Sequence, residues 1–315
     1  MSEEKPSVNP LEKNKAEELL KKRLILFLSV DIVGSTAFKH QGDSHQWLVY
    51  FSFFYENFNV FFENHLSDKS HREQFLGNPD LPLAKITNSK PRLWKTLGDE
   101  LLFFHELNDH RQASFYVNCF RHAILDINTE LKKKSDDRLK LKGTAWVAGF
   151  PVGNMLIVEN LDAQKFDFIG PLVDVGFRLS KYSNEQKFVV SVDLALLLSH
   201  HVQSDDFQFH YDGRVPLKGV LNEKPYPIIW LRMVEDDFPL EATLIEKCEV
   251  GKIKAFCEYF IREIGKPLRV PFIIGDEFFY RIENEDEYND SYNKVKKILA
   301  DVIFPTDEID NTQED

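Results

Sequence analysis

The chain has 315 residues, 43% hydrophobic, 13% aromatic and 29% charged, which excludes both a disordered chain and a membrane bundle and leaves a soluble globular protein. Of the net charge of −12, nearly all sits late: residues 234–315 hold 21 acids against 10 bases, so no basic field for nucleic acid is present. Three scattered cysteines, Cys119, Cys248 and Cys257, suit neither a disulfide framework nor a zinc knuckle and point to a reducing, cytoplasmic location.

Residues 1–22 form a polar arm with a short charged helix, unlike a secretory or transit segment, and no apolar run approaches the roughly 20 residues that cross a bilayer. No membrane partner is expected. Leu24 to Val30 is an almost unbroken apolar run, read as a strand buried on both faces and stopping at Asp31. Gly34-Ser35-Thr36 then supplies a turn and an N-cap, with a helix over about Ser44 to His65.

Residues 66–91, broken by Gly77, Asn78, Pro79, Pro82 and Pro91, read as a surface excursion. Arg92 to Lys95 and Glu100 to His105 flank Gly98-Asp99, the pattern of a β-hairpin with a carboxylate at its tip. A helix over Asn108 to Lys134 follows, then a strand from Leu139 to Phe150. From Phe166 the chain reads as strand, helix to Tyr182, strand Phe188 to Val192 and helix to about His201, with two more strands between Phe207 and Arg232. After Met233 the composition changes. The last stretch holds helices at Val250 to Ile264 and Glu287 to Ile303 and a strand-like Val270 to Ile274. The alternation predicts an α+β or α/β fold.

Two acids, Asp31 and Asp99, stand at the ends of apolar elements. If their strands are neighbours, the two carboxylates meet at one edge of a sheet, where a hard divalent cation would offset their repulsion. The turn Ile32-Val-Gly-Ser-Thr36 adds outward N–H groups that suit anionic oxygens, with Gly34 permitting close approach. Metal beside a phosphate-binding turn suggests phosphoryl transfer. Walker, Gly-x-Gly-x-x-Gly and Gly-x-Ser-x-Gly motifs are absent, so a P-loop NTPase, a dehydrogenase and an α/β-hydrolase have no support.

Ser29-Val-Asp-Ile-Val-Gly-Ser-Thr36, Trp94-Lys-Thr-Leu-Gly-Asp-Glu-Leu-Leu102 and Asp167-Phe-Ile-Gly-Pro-Leu-Val-Asp-Val-Gly-Phe-Arg178 together resemble the three signature blocks of the class III nucleotidyl cyclases. The resemblance spans about residues 23–233. It implies an α+β, ferredoxin-like catalytic domain flanked by the arm (1–22) and a small acidic α/β appendage (234–315), which we read as regulatory or dimer-supporting. It also implies a homodimer with composite sites. Asp31, Asp99 and the Ile32 carbonyl would hold two divalent ions, Mn²⁺ or Mg²⁺. Lys95 and Asp167 would read the base, and Arg178 would stabilise charge on the transferring phosphate. The metal aspartates would come from one chain and the other three residues from its partner. The implied reaction is attack of the ribose 3′-hydroxyl on the α-phosphorus with loss of pyrophosphate.

Some positions depart from the family pattern. Asp174 stands where an asparagine usually contacts ribose, Phe168 where a smaller aliphatic lines the base pocket, and Ser35 where phenylalanine is frequent; Trp94 adds further aromatic volume. That volume favours a pyrimidine. The long excursion and freestanding architecture resemble the pyrimidine cyclases of bacterial anti-phage defence (Pycsar), which implies UTP as substrate, cUMP as product and a downstream effector of the cyclic nucleotide. CTP and ATP remain alternatives, as does a nucleotide-binding domain without turnover.

Overall fold

The computed structural model describes residues 10–41, 46–76, 89–135, 139–160, 165–200, 207–233 and 247–303. A first helix, α1 (Pro10–Leu20), leads into β1 (Arg23–Val33). The short α2 (Ser35–Gln41), α3 (Gln46–Ser67) and α4 (Lys69–Leu76) follow, then the hairpin β2 (Arg92–Leu97) and β3 (Glu100–Leu107). The long α5 (His110–Ser135) returns the chain to β4 (Lys140–Phe150). A ribbon, β5 (Met155–Asn160) and β6 (Lys165–Ile169), precedes α6 (Pro171–Leu179), β7 (Lys187–Val190) and α7 (Val192–Leu198). Strands β8 (Phe209–Pro216) and β9 (Pro225–Arg232) come next, and α8 (Val250–Ile264) and α9 (Glu285–Ile303) complete the described chain.

Seven strands form one mixed sheet in the order β2-β3-β1-β4-β7-β9-β8, and β5 with β6 makes a separate antiparallel pair. The apolar run of β1 explains its central place: Leu24 through Leu28 and Val30 are all buried, so neither face of this strand tolerates water. On one face Phe103 of β3 meets Phe58 and Phe62 of α3 and Phe120 of α5. On the other, Phe27 of β1 stacks on Trp146 of β4 and meets Phe168 of the ribbon edge to face. Helix α6 covers Trp146 through Gly176, where any Cβ would enter the indole ring.

The α+β fold follows the sequence expectation, with local differences. Strand β1 continues through Asp31 to Val33 because β4 pairs with it that far. The helix expected over Ser44 to His65 is preceded by the separate α2, and Ser35 lies inside α2 rather than capping it. The Gly34 carbonyl accepts the first helical bond, from Phe38 N–H at 3.0 Å, and Gly34 adopts a φ of 71°.

Part of the 66–91 excursion is α4, which buries Phe75 and Leu76; residues 77–88 lie outside the described chain. The C-terminal appendage, expected to be α/β, is helical among the described residues, and Val270 to Ile274 forms no strand. Pro267 and Pro271 remove ladder donors there, and Ile273 N–H bonds the Phe279 carbonyl within its own loop. Its helices join the common core through Ile253, Cys257, Phe260 and Ile261 of α8 and Leu299 of α9.

Candidate active site

Register brings the candidate metal acids together. Asp31 pairs with Glu100 across β1–β3, and Asp99, one residue earlier, occupies the hairpin tip with Gly98 at a φ of 64°. Burial pushes the Asp31 carboxyl above its ordinary range, the Lys142 ammonium opposes this and the Asp99 charge adds to it. Glu100 is also raised by burial; a hydrogen bond from Ser29 Oγ opposes the shift and the Asp31 charge adds to it. Tyr55 of α3 donates to the Gly98 carbonyl and so holds the tip. Burial raises its hydroxyl pKa, and the charges of Asp99 and Asp31 raise it further. Asp31 and Asp99 thus lie at one end of the β1–β3 strand pair, near enough for their charges to interact, while Glu100 is engaged by Ser29.

Lys95 and Asp167 also meet. The ammonium donates to Asp167 Oδ1 at 2.7 Å and lies 4.0 Å from the Trp94 ring centroid. A register shift between Leu93 and Lys95 makes this possible. Trp94 turns inward against Phe27 and Phe168, while Lys95 reaches the ribbon. Phe168 is 4% exposed, enclosed by Phe27, Trp94, Phe104, Phe150 and Phe166. Its backbone N–H donates to Asp167 Oδ1 at 2.9 Å.

Asp174 and Arg178 lie one turn apart on α6, with Asp174 exposed and Arg178 half-buried. Among the described residues Arg178 has no hydrogen-bond or ion-pair partner. Asn154 seats the helix by accepting from Leu172 N–H at 3.0 Å and donating to the Gly149 carbonyl at 2.9 Å. Of the turn Gly34-Ser35-Thr36, Gly34 and Thr36 are exposed and Ser35 is buried.

Three residues of this neighbourhood were not singled out by sequence reasoning: Lys142, Glu100 and Tyr55. Glu100 had a signal, since it directly follows Asp99. Lys142 and Tyr55 had none, because strand register and a helix crossing place them. A second acidic group lies elsewhere. Asp109, His110 and Asp276 are buried and offer ligand atoms within 4.8 Å of one another, a spacing that can hold a metal ion. It stands just beyond the far end of β3 from Glu100, and its atoms already have protein partners. Arg111 binds Asp109 at 2.7 and 2.8 Å, while His110 N–H and Nδ1 face Asp276 Oδ2 at 2.7 and 2.9 Å.

No protein-family model and no curated protein matches the chain. Solved structures do. Adenylyl cyclase CyaB from P. aeruginosa is 12% identical with a TM-score of 0.51, over 70% of this chain and 98% of that one. The guanylyl cyclase Cya2 is 16% identical (TM-score 0.47; 69% of this chain and 96% of that one). The guanylate cyclase domain of RhGC from Catenaria anguillulae, solved with GTP, is 12% identical (TM-score 0.46; 68% and 100%). The similarity to CyaB gives the architecture: this is the α+β fold of a class III cyclase catalytic domain, with helices added at its C-terminal end. No helix among the described residues is long and apolar enough to cross a membrane.

Proposed function

We propose that the protein is a metal-dependent nucleotidyl cyclase that converts a nucleoside triphosphate, UTP foremost, into its 3′,5′-cyclic monophosphate and pyrophosphate. One observation carries this reading: Asp31 and Asp99, 68 positions apart, come together at one end of the β1–β3 strand pair, where Asp31 pairs with Glu100, the neighbour of Asp99. Asp31, Asp99 and the Ile32 carbonyl would hold divalent Mn²⁺ or Mg²⁺, two per site, which supply Lewis-acid stabilisation to phosphate oxygens.

The chain's own groups do the rest. Lys95 donates to and Asp167 accepts from the base edge, and Asp174 faces the ribose. The turn at Gly34, Ser35 and Thr36 meets the phosphates, and Arg178 stabilises the charge that develops as the 3′-oxygen bonds to the α-phosphorus. The α–β bridging bond breaks, pyrophosphate leaves, and the hydroxyl proton passes to solvent. Phe168 and Trp94 fill volume beneath the base, which favours the smaller pyrimidine ring.

Composite sites in a homodimer fit the surface. Leu93 and Leu97 of β2 and Ile157 and Ile169 of the ribbon are 45–48% exposed around the Lys95–Asp167 pair. We assign the activity to cytoplasmic anti-phage signalling, with the cyclic nucleotide as messenger to a separate effector, and residues 234–315 to a regulatory or dimer-supporting role. An adenylate cyclase is the second reading, favoured by the Lys95–Asp167 pair, whose donor and acceptor also match adenine.

Purified protein incubated with each of the four triphosphates and Mn²⁺ or Mg²⁺, with Asp31→Ala as control, tests this by product mass. A cyclic product from UTP that Asp31→Ala abolishes is expected. Cyclic product from ATP or CTP alone would replace the uridylate assignment, and no metal-dependent pyrophosphate release from any triphosphate would overturn the enzyme reading.

A further inference from the structure

A cavity of about 1210 Å³ lies at the opposite end of β1 from Asp31. Eight residues of strand separate Arg23 at its rim from Asp31, about 26 Å at ~3.3 Å per residue, so it is not part of the acidic cluster. Its walls come from α1, the start of β1, the end of β3 and α9. The N-terminal arm and the C-terminal appendage therefore meet across it.

Its charge runs against that of the protein. In a chain of net charge −12, the lining holds Lys21, Lys22, Arg23 and Lys296 against Glu17 and Glu106. Two of these cations are compensated, Lys21 by Glu106 at 2.8 Å and Arg23 by Glu18 at 2.6 Å. Lys22 and Lys296 have no carboxylate partner among the described residues. Lys22 Nζ is 4.9 Å from the Tyr292 centroid, 5.0 Å from that of Tyr288 and 3.5 Å from Asn289 Oδ1, and Lys296 follows Tyr292 by one helical turn on the same face of α9. Leu24 and Leu107 add apolar wall. The Tyr292 hydroxyl donates to the Leu20 carbonyl at 3.2 Å, which fixes the ring and ties α9 to α1.

We propose that this cavity is a second ligand site, for a small organic phosphate whose anionic group sits between Lys22 and Lys296 and whose ring or apolar part lies on Tyr292. Two ammonium groups without a carboxylate partner, beside a tyrosine ring, match such a molecule in charge and shape. The site stands independently of the catalytic reading, because no residue of the acidic cluster lines it.

Calorimetric titration of the full-length protein in EDTA, with pyrophosphate and AMP as probes, tests the proposal. Saturable AMP binding is expected in the wild type and in Asp31→Ala, weakened at least tenfold in Lys22→Glu/Lys296→Glu. Pyrophosphate should bind through the same lysines but be insensitive to Tyr292→Leu, which should weaken AMP alone. Lys296→Glu, an exposed single change, carries the test if the double variant does not fold. No saturation by either probe at about 1 mM, where binding is worth only ~4 kcal/mol, would overturn the site. So would binding that survives both lysine variants or that Asp31→Ala removes.

Discussion

Lys142 Nζ lies 3.2 Å from Asp31 Oδ2, across the β1–β4 rung on which the two residues are paired, and donates to the Ser180 carbonyl at 3.2 Å. A cation thus already neutralises the leading candidate metal ligand, and it links that ligand to the end of α6. A divalent ion entering the carboxylate cluster must displace this ammonium or work against it. Lys142→Met keeps the stem and removes the charge, so Mn²⁺ binding without nucleotide should tighten about tenfold, or ~1.4 kcal/mol. Titration followed by electron paramagnetic resonance measures it; unchanged affinity would mean that Lys142 does not compete.

Arg178 is half-buried on α6 with no partner among the described residues. Its truncation should leave the fold intact and act on chemistry alone. Arg178→Ala should lower turnover about 10²–10³-fold with an unchanged melting temperature. Pyrophosphate release and thermal unfolding on the same sample separate the two effects, and a stability loss matching the activity loss would count against the assignment.

Gly176 admits α6 onto Trp146. Gly176→Ala would force the helix, and with it Asp174 and Arg178, away from β4. A cost of about 1–3 kcal/mol is expected from overpacking. The urea midpoint reads the cost, and a midpoint equal to wild type would show that the indole yields freely.

The Asp276 side chain is fully buried and accepts from His110 N–H, Phe278 N–H and Phe279 N–H at 2.7–2.9 Å. Burial alone would raise its pKa, but the His110 hydrogen bond and these amides hold it well below the carboxylate range. This network ties the loop between α8 and α9 to the start of α5. Asp276→Ala strands buried donors and should cost about 3–5 kcal/mol. Hydrogen exchange should show the loss first in residues 270–279; exchange confined to other segments would contradict the tether.

Burial lowers His105, His122 and His200 from 6.5 to about 4. Below pH 6.5 the unfolded chain takes up protons that the native state refuses, so stability is fully present at neutral pH and falls as pH drops from 6.5 toward 4. Asp193, raised by burial from 3.8 to about 6, acts in the opposite sense over nearly the same window, and Asp31 and Glu100, raised less strongly by burial, act with it. Melting temperatures at pH 7, 6 and 5 should therefore fall. A rise would show that the buried acids outweigh the histidines.

Much was legible in the amino-acid order because it depends on neighbours in the chain. The buried character of β1, the Gly98-Asp99 hairpin and the helix at Val250–Ile264 each follow from local periodicity or turn chemistry. So does the display of Asp99 at the hairpin tip, whereas Asp31 lies two residues inside β1. Pairing decided the rest. Glu100 faces Asp31, Lys142 neutralises it and Tyr55 holds the tip only because β3 and β4 flank β1 in one register and α3 crosses the sheet. Val270 to Ile274 reads as a strand by composition, yet no sheet edge receives it, and Asp276 fixes its loop through a histidine 166 positions away. Side-chain periodicity carries no information about which distant element lies opposite, so contacts across the sheet had to come from the folded chain.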